Sequence, residues 1–101
     1  MANTQKETTT KNKYDFKEPS MYNVVFLNDD VTTVEFVMDV LFSHFNKTKK
    51  EASEIVDLIN QKDRAIVGTY YFDIADAKAN IVMQKAKAEN YPFKVITEEV
   101  V

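Results

Sequence analysis

The sequence predicts an α/β domain of the α+β kind: a three-stranded sheet packed against three helices, in the order β-α-α-β-α-β. Three observations lead there. Short runs rich in aromatic and β-branched residues stand at 21–27, 65–71 and 93–97. Between them lie segments whose apolar residues recur at helical spacing, each entered by a polar residue suited to a cap. No two strand-like runs are joined by a short hairpin turn, so helices connect them. A small sheet with helices on one face is then the economical way to bury both.

MYNVVFL, residues 21–27, reads as the first strand because aromatic and β-branched side chains fit a pleated surface. NDDV follows as a loop. Thr32 with Glu35 three residues on has the pattern of a capping box, in which hydroxyl and carboxylate each satisfy a free backbone N–H. The helix it opens is expected to run to about Asn46. Val37, Val40, Leu41, His44 and Phe45 share one face, flanked by Val34 and Met38. Thr48 and Glu51 repeat the box ahead of a second helix over 49–61, with Ala52, Ile55, Val56 and Ile59 in its stripe. QKDR reads as a polar turn, and AIVGTYY, 65–71, as the second strand. Gly68 inside that strand predicts a bulge or a close approach. Asp73 is expected to cap a third helix over 74–90, with Ile74, Ala77, Lys78, Ile81, Val82 and Lys85 as a weakly apolar stripe. Asn90, Tyr91 and Pro92 end it, and FKVIT, 93–97, alternates as the last strand. Residues 1–20 are rich in Thr, Lys and Asn and offer too little apolar surface to offset their ordering entropy. They are expected to form a flexible tail ahead of a single domain, 21–101.

Composition narrows the function classes. A chain of 101 residues, 45% of them apolar, suits one domain with a real core. It has no cysteine, hence no disulfide, no thiolate metal site and no thiol nucleophile. Its single glycine excludes a glycine-rich phosphate loop. Its single histidine, His44, leaves no partner for histidine-based metal or triad chemistry and is expected at the core or its rim. The net charge is −3 with signs mixed along the chain, unlike the basic stripe of a nucleic-acid binder. No apolar run approaches the roughly 18 residues of a membrane helix, and the polar N-terminus lacks the apolar core of a signal peptide. Composition is compatible with a cytosolic protein and points away from cofactor, metal, nucleic acid and membrane.

LNDDVTTVEF, 27–36, sets Asn28, Asp29 and Asp30 at the seam between two core elements. Neighbouring carboxylates diverge, which is poor geometry for an acid and a base acting together. Asn and Asp bond nearby backbone readily, so the loop reads as a helix entry, and carboxylates suit the positive end of a helix dipole. The same residue types also suit recognition, a carboxylate and an amide aimed together at a cationic group. Composition leaves both readings open. Lys47, Lys49 and Lys50 read as a solvated helix entry, and Tyr70, Tyr71 and Phe72 as core and sheet edge.

Taken together, PSMYNVVFLNDDVTTVEFVMDVL, 19–41, resembles the signature of the ClpS family, adaptors of the Clp AAA+ protease. The family pattern is close to P-x-M-Y-x-V-x-x-x-N-D-D-x-T-x-M-x-F-V-x-x-V-L. The likeness continues through AIVG, 65–68, reaches DIADAK, 73–78, where the family favours E-x-A-E-x-K, and ends at Pro92-Phe93. About 80 residues are covered, without the tail.

The resemblance implies a cytoplasmic, monomeric adaptor, not an enzyme, that binds substrates through a free N-terminal Leu, Phe, Tyr or Trp and delivers them to a Clp unfoldase, ClpA in many bacteria. Asn28 and Asp29 match the positions that bond the α-amine. Asn60 stands where the family usually has a histidine sharing that contact, and its amide oxygen can accept in its place. Asp30, Thr32, Val34, Val37, Val56, Ile59 and Phe93 match pocket positions. Val34 replaces a methionine whose length guards against β-branched side chains, so a pocket more tolerant of Ile and Val is expected. QKDR replaces a glycine-containing turn, so a shifted lower rim is expected. Asp73, Asp76 and Lys78 match positions that dock on the N-terminal domain of the unfoldase, and the tail matches a segment that enters its pore. Two alternatives stand beside this: a diverged adaptor that docks without reading N-termini, which Asn60 keeps open, and a stand-alone interaction module.

Overall fold

The computed structural model describes residues 19–101, so the tail expected over 1–20 lies, up to residue 18, outside the described residues. The elements are β1 (Met21–Leu27), α1 (Val34–His44), α2 (Lys49–Lys62), β2 (Arg64–Tyr71), α3 (Phe72–Ala88) and β3 (Val95–Glu99). This is the expected order and the expected three-stranded sheet. Strand β1 is central, with β2 and β3 antiparallel on either side.

Alternation on β1 sends Val24 and Phe26 into the helices, where both are fully buried. Val37, Val40 and Leu41 of α1 and Ala52, Ile55 and Ile59 of α2 close over them. Phe26 meets Phe45 and Phe93 edge to face, with ring centroids 5.4 and 5.0 Å apart, the arrangement the ring quadrupole favours.

Four local expectations need correction. Thr32 does not open α1 with Glu35. Thr33 is the N-cap, its Oγ1 accepting from Phe36 N at 3.1 Å, because the Thr32 hydroxyl is taken by Asp29. Asp73 does not cap α3. β2 runs into the helix without a loop, Tyr71 is the N-cap, and Asp73 lies in the first turn with its carboxylate on Ile74 N. The buried line of α3 is Ala75, Ala79, Val82 and Ala86, while Ile74 and Ile81 are exposed. Small side chains let this helix lie close to the sheet, and the isoleucines are too bulky for that face. β3 begins at Val95, two residues late, because Phe93 turns inward ahead of the ladder. The capping box at Thr48 and Glu51 forms as expected, with bonds of 2.9 and 3.1 Å.

Each helix is followed closely by a residue at positive φ: Asn46 (55°), Asp63 (66°) and Asn90 (64°). With a single glycine available, the chain uses the residue types that best tolerate the left-handed region. Tyr91 N bonds Ala86 O at 2.9 Å behind Asn90, closing α3.

Gly68 serves a different purpose. The β1–β2 register slips beside it: Val24 pairs Gly68 while Val25 pairs Ile66, which leaves Val67 without an opposite number. The ring of Tyr70 also lies over Gly68, so that a Cβ there would fall 2.7 Å from its Cε2 and Cζ. That ring is not free to leave. It packs against Phe45 and lies under the Lys78 ammonium, which is 5.2 Å from its centroid and donates to His44 O at 2.6 Å. Gly68→Ala is therefore expected to destabilise the fold by about 1–3 kcal/mol through overpacking. Urea unfolding measures it, and a change below ~0.5 kcal/mol would mean the Tyr70 ring gives way easily.

Candidate functional site

Two backbone bonds pin the end of β1: Leu27 N to Lys94 O at 3.1 Å and Asn28 N to Asp63 O at 2.9 Å. The chain then turns sharply to start α1. Asp29 makes that turn. Its Oδ1 accepts from Val31 N at 2.8 Å and Thr32 N at 2.7 Å, and its Oδ2 accepts the Thr32 hydroxyl at 2.6 Å. Burial would raise the Asp29 pKa, but the bonds from the Thr32 hydroxyl, Thr32 N and Val31 N outweigh it, and the carboxyl sits below its ordinary value. An ionised carboxylate offers about four lone-pair sites. The three bonds leave one of them, on Oδ2, for a ligand.

Beside this loop lies a cleft of about 310 Å³ that is open to solvent on one side. Asn28, Asp29, Thr32 and Asn60 form its polar mouth; Leu27, Val34, Val37, Val56, Ile59 and Phe93 form its walls. Val37, Ile59 and Phe93 are buried, and Phe93 is held edge to face between Phe26 and Phe36. Phe36 leans in turn on Tyr91, whose hydroxyl lies 3.4 Å from Thr33 Oγ1. Apolar walls behind a polar mouth suit an apolar side chain that carries a cationic group beside it.

Most residues singled out in the sequence thus meet at one cleft. Asp30 does not: it is exposed and outside the lining, because the adjacent residue has already turned toward the cleft. Leu27 joins the walls unforeseen. Its only signal was its place directly before Asn28, where the strand ends. On α3, Asp73 and Asp76 are exposed, Asp76 accepting from Asn80 at 3.3 Å. Lys78 is half-buried and turned inward onto His44 O, Phe45 and Tyr70, so it holds α1 to α3 rather than standing free. His44 is half-buried at the rim, with its Nε2 enclosed and unpartnered. Desolvation, then Lys85 and Lys78, lower its pKa against the pull of Asp39. Among the described residues no group of acidic or histidine side chains could hold a metal, and no helix is long and apolar enough to cross a membrane.

Fold and cleft together define a small α+β domain with a walled pocket and a polar entrance, suited to binding. The chain belongs to the ClpS family: the family described as "ATP-dependent Clp protease adaptor protein ClpS" matches residues 17–96. It is 43% identical over 99 residues to the ATP-dependent Clp protease adapter protein ClpS of Helicobacter hepaticus, covering 98% of each chain. It is 39% identical over 84 residues to that of Acetivibrio thermocellus, covering 83% of this chain and 85% of the relative. Among solved structures, that of Agrobacterium tumefaciens ClpS2 bound to L-phenylalaninamide superposes with a TM-score of 0.79 at 30% identity, covering 82% of this chain and all of the other. The protein is accordingly an adaptor of the Clp protease.

Thr32→Val removes the hydroxyl bond to Asp29 while keeping the β-branched shape. The Asp29 pKa, followed by NMR titration, is expected to move up toward the ordinary carboxylate value of about 3.9. An unmoved value would mean that this bond is not made in solution.

Proposed function

We propose that this adaptor binds substrates through a free N-terminal bulky hydrophobic residue (Leu, Phe, Tyr or Trp) and delivers them to a ClpA-like AAA+ unfoldase in the cytoplasm. One observation carries the reading: the single acceptor site left on the ionised Asp29 stands at the mouth of an apolar cleft. A chain start offers the complement, an ammonium one carbon from a side chain. The ammonium–carboxylate bond is charge-assisted and so stronger than a neutral one. Burying the side chain contributes about 1.5–3 kcal/mol. The ligand of the Agrobacterium structure, L-phenylalaninamide, has the same pairing of free amine and aromatic side chain. Asn28 and Asn60 supply further acceptors at the mouth. An acetylated terminus brings no charge to Asp29 and leaves its last site desolvated and unpaired.

Delivery uses a separate surface. Asp73 and Asp76 present carboxylates on α3 beside exposed Ile74 and Phe72, a face suited to the N-terminal domain of the unfoldase. Lys78 contributes to it from beneath, by fixing α3 on the end of α1.

Calorimetry with a Phe-starting peptide, free and N-acetylated, tests the reading. Only the free form is expected to bind. The Asp29 carboxyl is ionised well below neutrality and Asn60 does not titrate, so affinity should be level from about pH 5 to 7. It should fall above about pH 8, where the peptide amine loses its proton. Equal absence of binding by both peptides would favour an adaptor that docks without reading N-termini.

Val34 stands 53% exposed in the cleft lining, where the resemblance sets a longer methionine. Leu-starting peptides are therefore expected to bind less than about tenfold more tightly than Ile-starting ones, the low end of what a pocket extracts from one misplaced methyl. A larger Leu preference would show that another wall does the guarding.

A further inference from the structure

We propose that Asp63 is a positioning residue for amine recognition, an inference that rests on the N-terminus-binding reading above. Asp63 is the C-cap of α2 and holds the left-handed conformation, φ 66°. In that conformation it meets Asn28 twice, across 35 positions of sequence. Its backbone oxygen accepts from Asn28 N at 2.9 Å, and its Oδ1 accepts from Asn28 Nδ2 at 3.4 Å.

The second bond decides which way the Asn28 carboxamide faces. A carboxylate only accepts, so the atom turned to it must be the amide nitrogen. With Nδ2 committed to Asp63, Oδ1 is the atom left for an incoming ligand. An ammonium needs an acceptor, and an NH₂ turned toward it would repel it. Without Asp63 the carboxamide is free to flip, and part of the population presents the wrong end. The backbone bond sets the position of Asn28 and the side-chain bond sets its polarity. Both come from one residue whose backbone the helix end has already fixed.

Three variants and a cycle test this by calorimetry with a free Phe-starting peptide. Asp63→Gly keeps the left-handed backbone, which glycine adopts freely, and removes the acceptor. Its melting temperature is expected to stay at or above wild type while affinity falls on the order of three- to tenfold. Asp63→Asn keeps tolerance of positive φ, but its amide can meet Asn28 with either end, so its affinity is expected to fall between those of wild type and Asp63→Gly. In an Asn28→Ala background, Asp63→Gly should cause no further loss, because the group it orients is gone. Wild-type affinity in Asp63→Gly overturns the proposal and leaves the N-terminus reading intact. So does an undiminished loss in the Asn28→Ala background, which would assign the effect to the Asp63 charge rather than to the orientation of Asn28, or an Asp63→Asn variant that binds more weakly than Asp63→Gly. Failure of the wild type itself to bind overturns both.

Discussion

The Asp29 carboxylate is the point on which loop, helix and cleft all depend. Facing a cleft at the end of a buried strand, it would be costly to desolvate without partners. The next residues supply them, through Val31 N, Thr32 N and the Thr32 hydroxyl. That arrangement has a consequence for α1. A threonine whose hydroxyl is spent on Asp29 cannot cap a helix, so the cap moves to Thr33 and the helix starts at Val34. Val34 then stands at the rim and Val37 one turn deeper, buried. The depth of the pocket is set by where the loop lets the helix begin.

A second constraint is the near absence of glycine. A sharp helix end asks for a left-handed residue, and here Asn46, Asp63 and Asn90 fill that role. Each brings a side chain where glycine would bring none, and two of these ends support residues of the cleft. Asp63 reaches Asn28 at the mouth. Asn90 sets up Tyr91, whose ring steadies Phe36 and through it the Phe93 wall. Turn chemistry and site chemistry are thereby carried by the same residues.

What the sequence made legible follows from how local each feature is. β1 and α2 follow from alternation, helical spacing and a capping box, all of which act within a few residues. The walls Val37, Val56 and Ile59 follow from the same spacing, and the resemblance to ClpS assigned them to a pocket. Thr32 was misread because two threonines compete for one cap, and the winner depends on Asp29. The α3 stripe was misread because hydropathy favours isoleucine, whereas close packing against a sheet favours alanine. Asp63 carried no local signal at all. A turn aspartate looks the same whether or not it meets a partner 35 residues away. Lys78 looked like a surface charge because only the tertiary fold brings His44 O, Phe45 and Tyr70 beneath it.

The sheet register sets the distance between the cleft and the surface proposed for docking. Leu27 pairs Arg64 at the cleft end of β1, while Met21 pairs Tyr71 at the end where α3 departs. Six residue steps of strand separate the two, roughly 20 Å. Between them runs a packed aromatic line, Phe93 to Phe26 to Phe45 to Tyr70, ending under Lys78. Close-packed interiors of this kind do not compress easily. Under the proposed function, a group held in the cleft and a body docked on the exposed start of α3 would be kept apart by a rigid spacer and would not compete for surface. An adaptor needs that geometry, since it must keep hold of one partner while it engages the other.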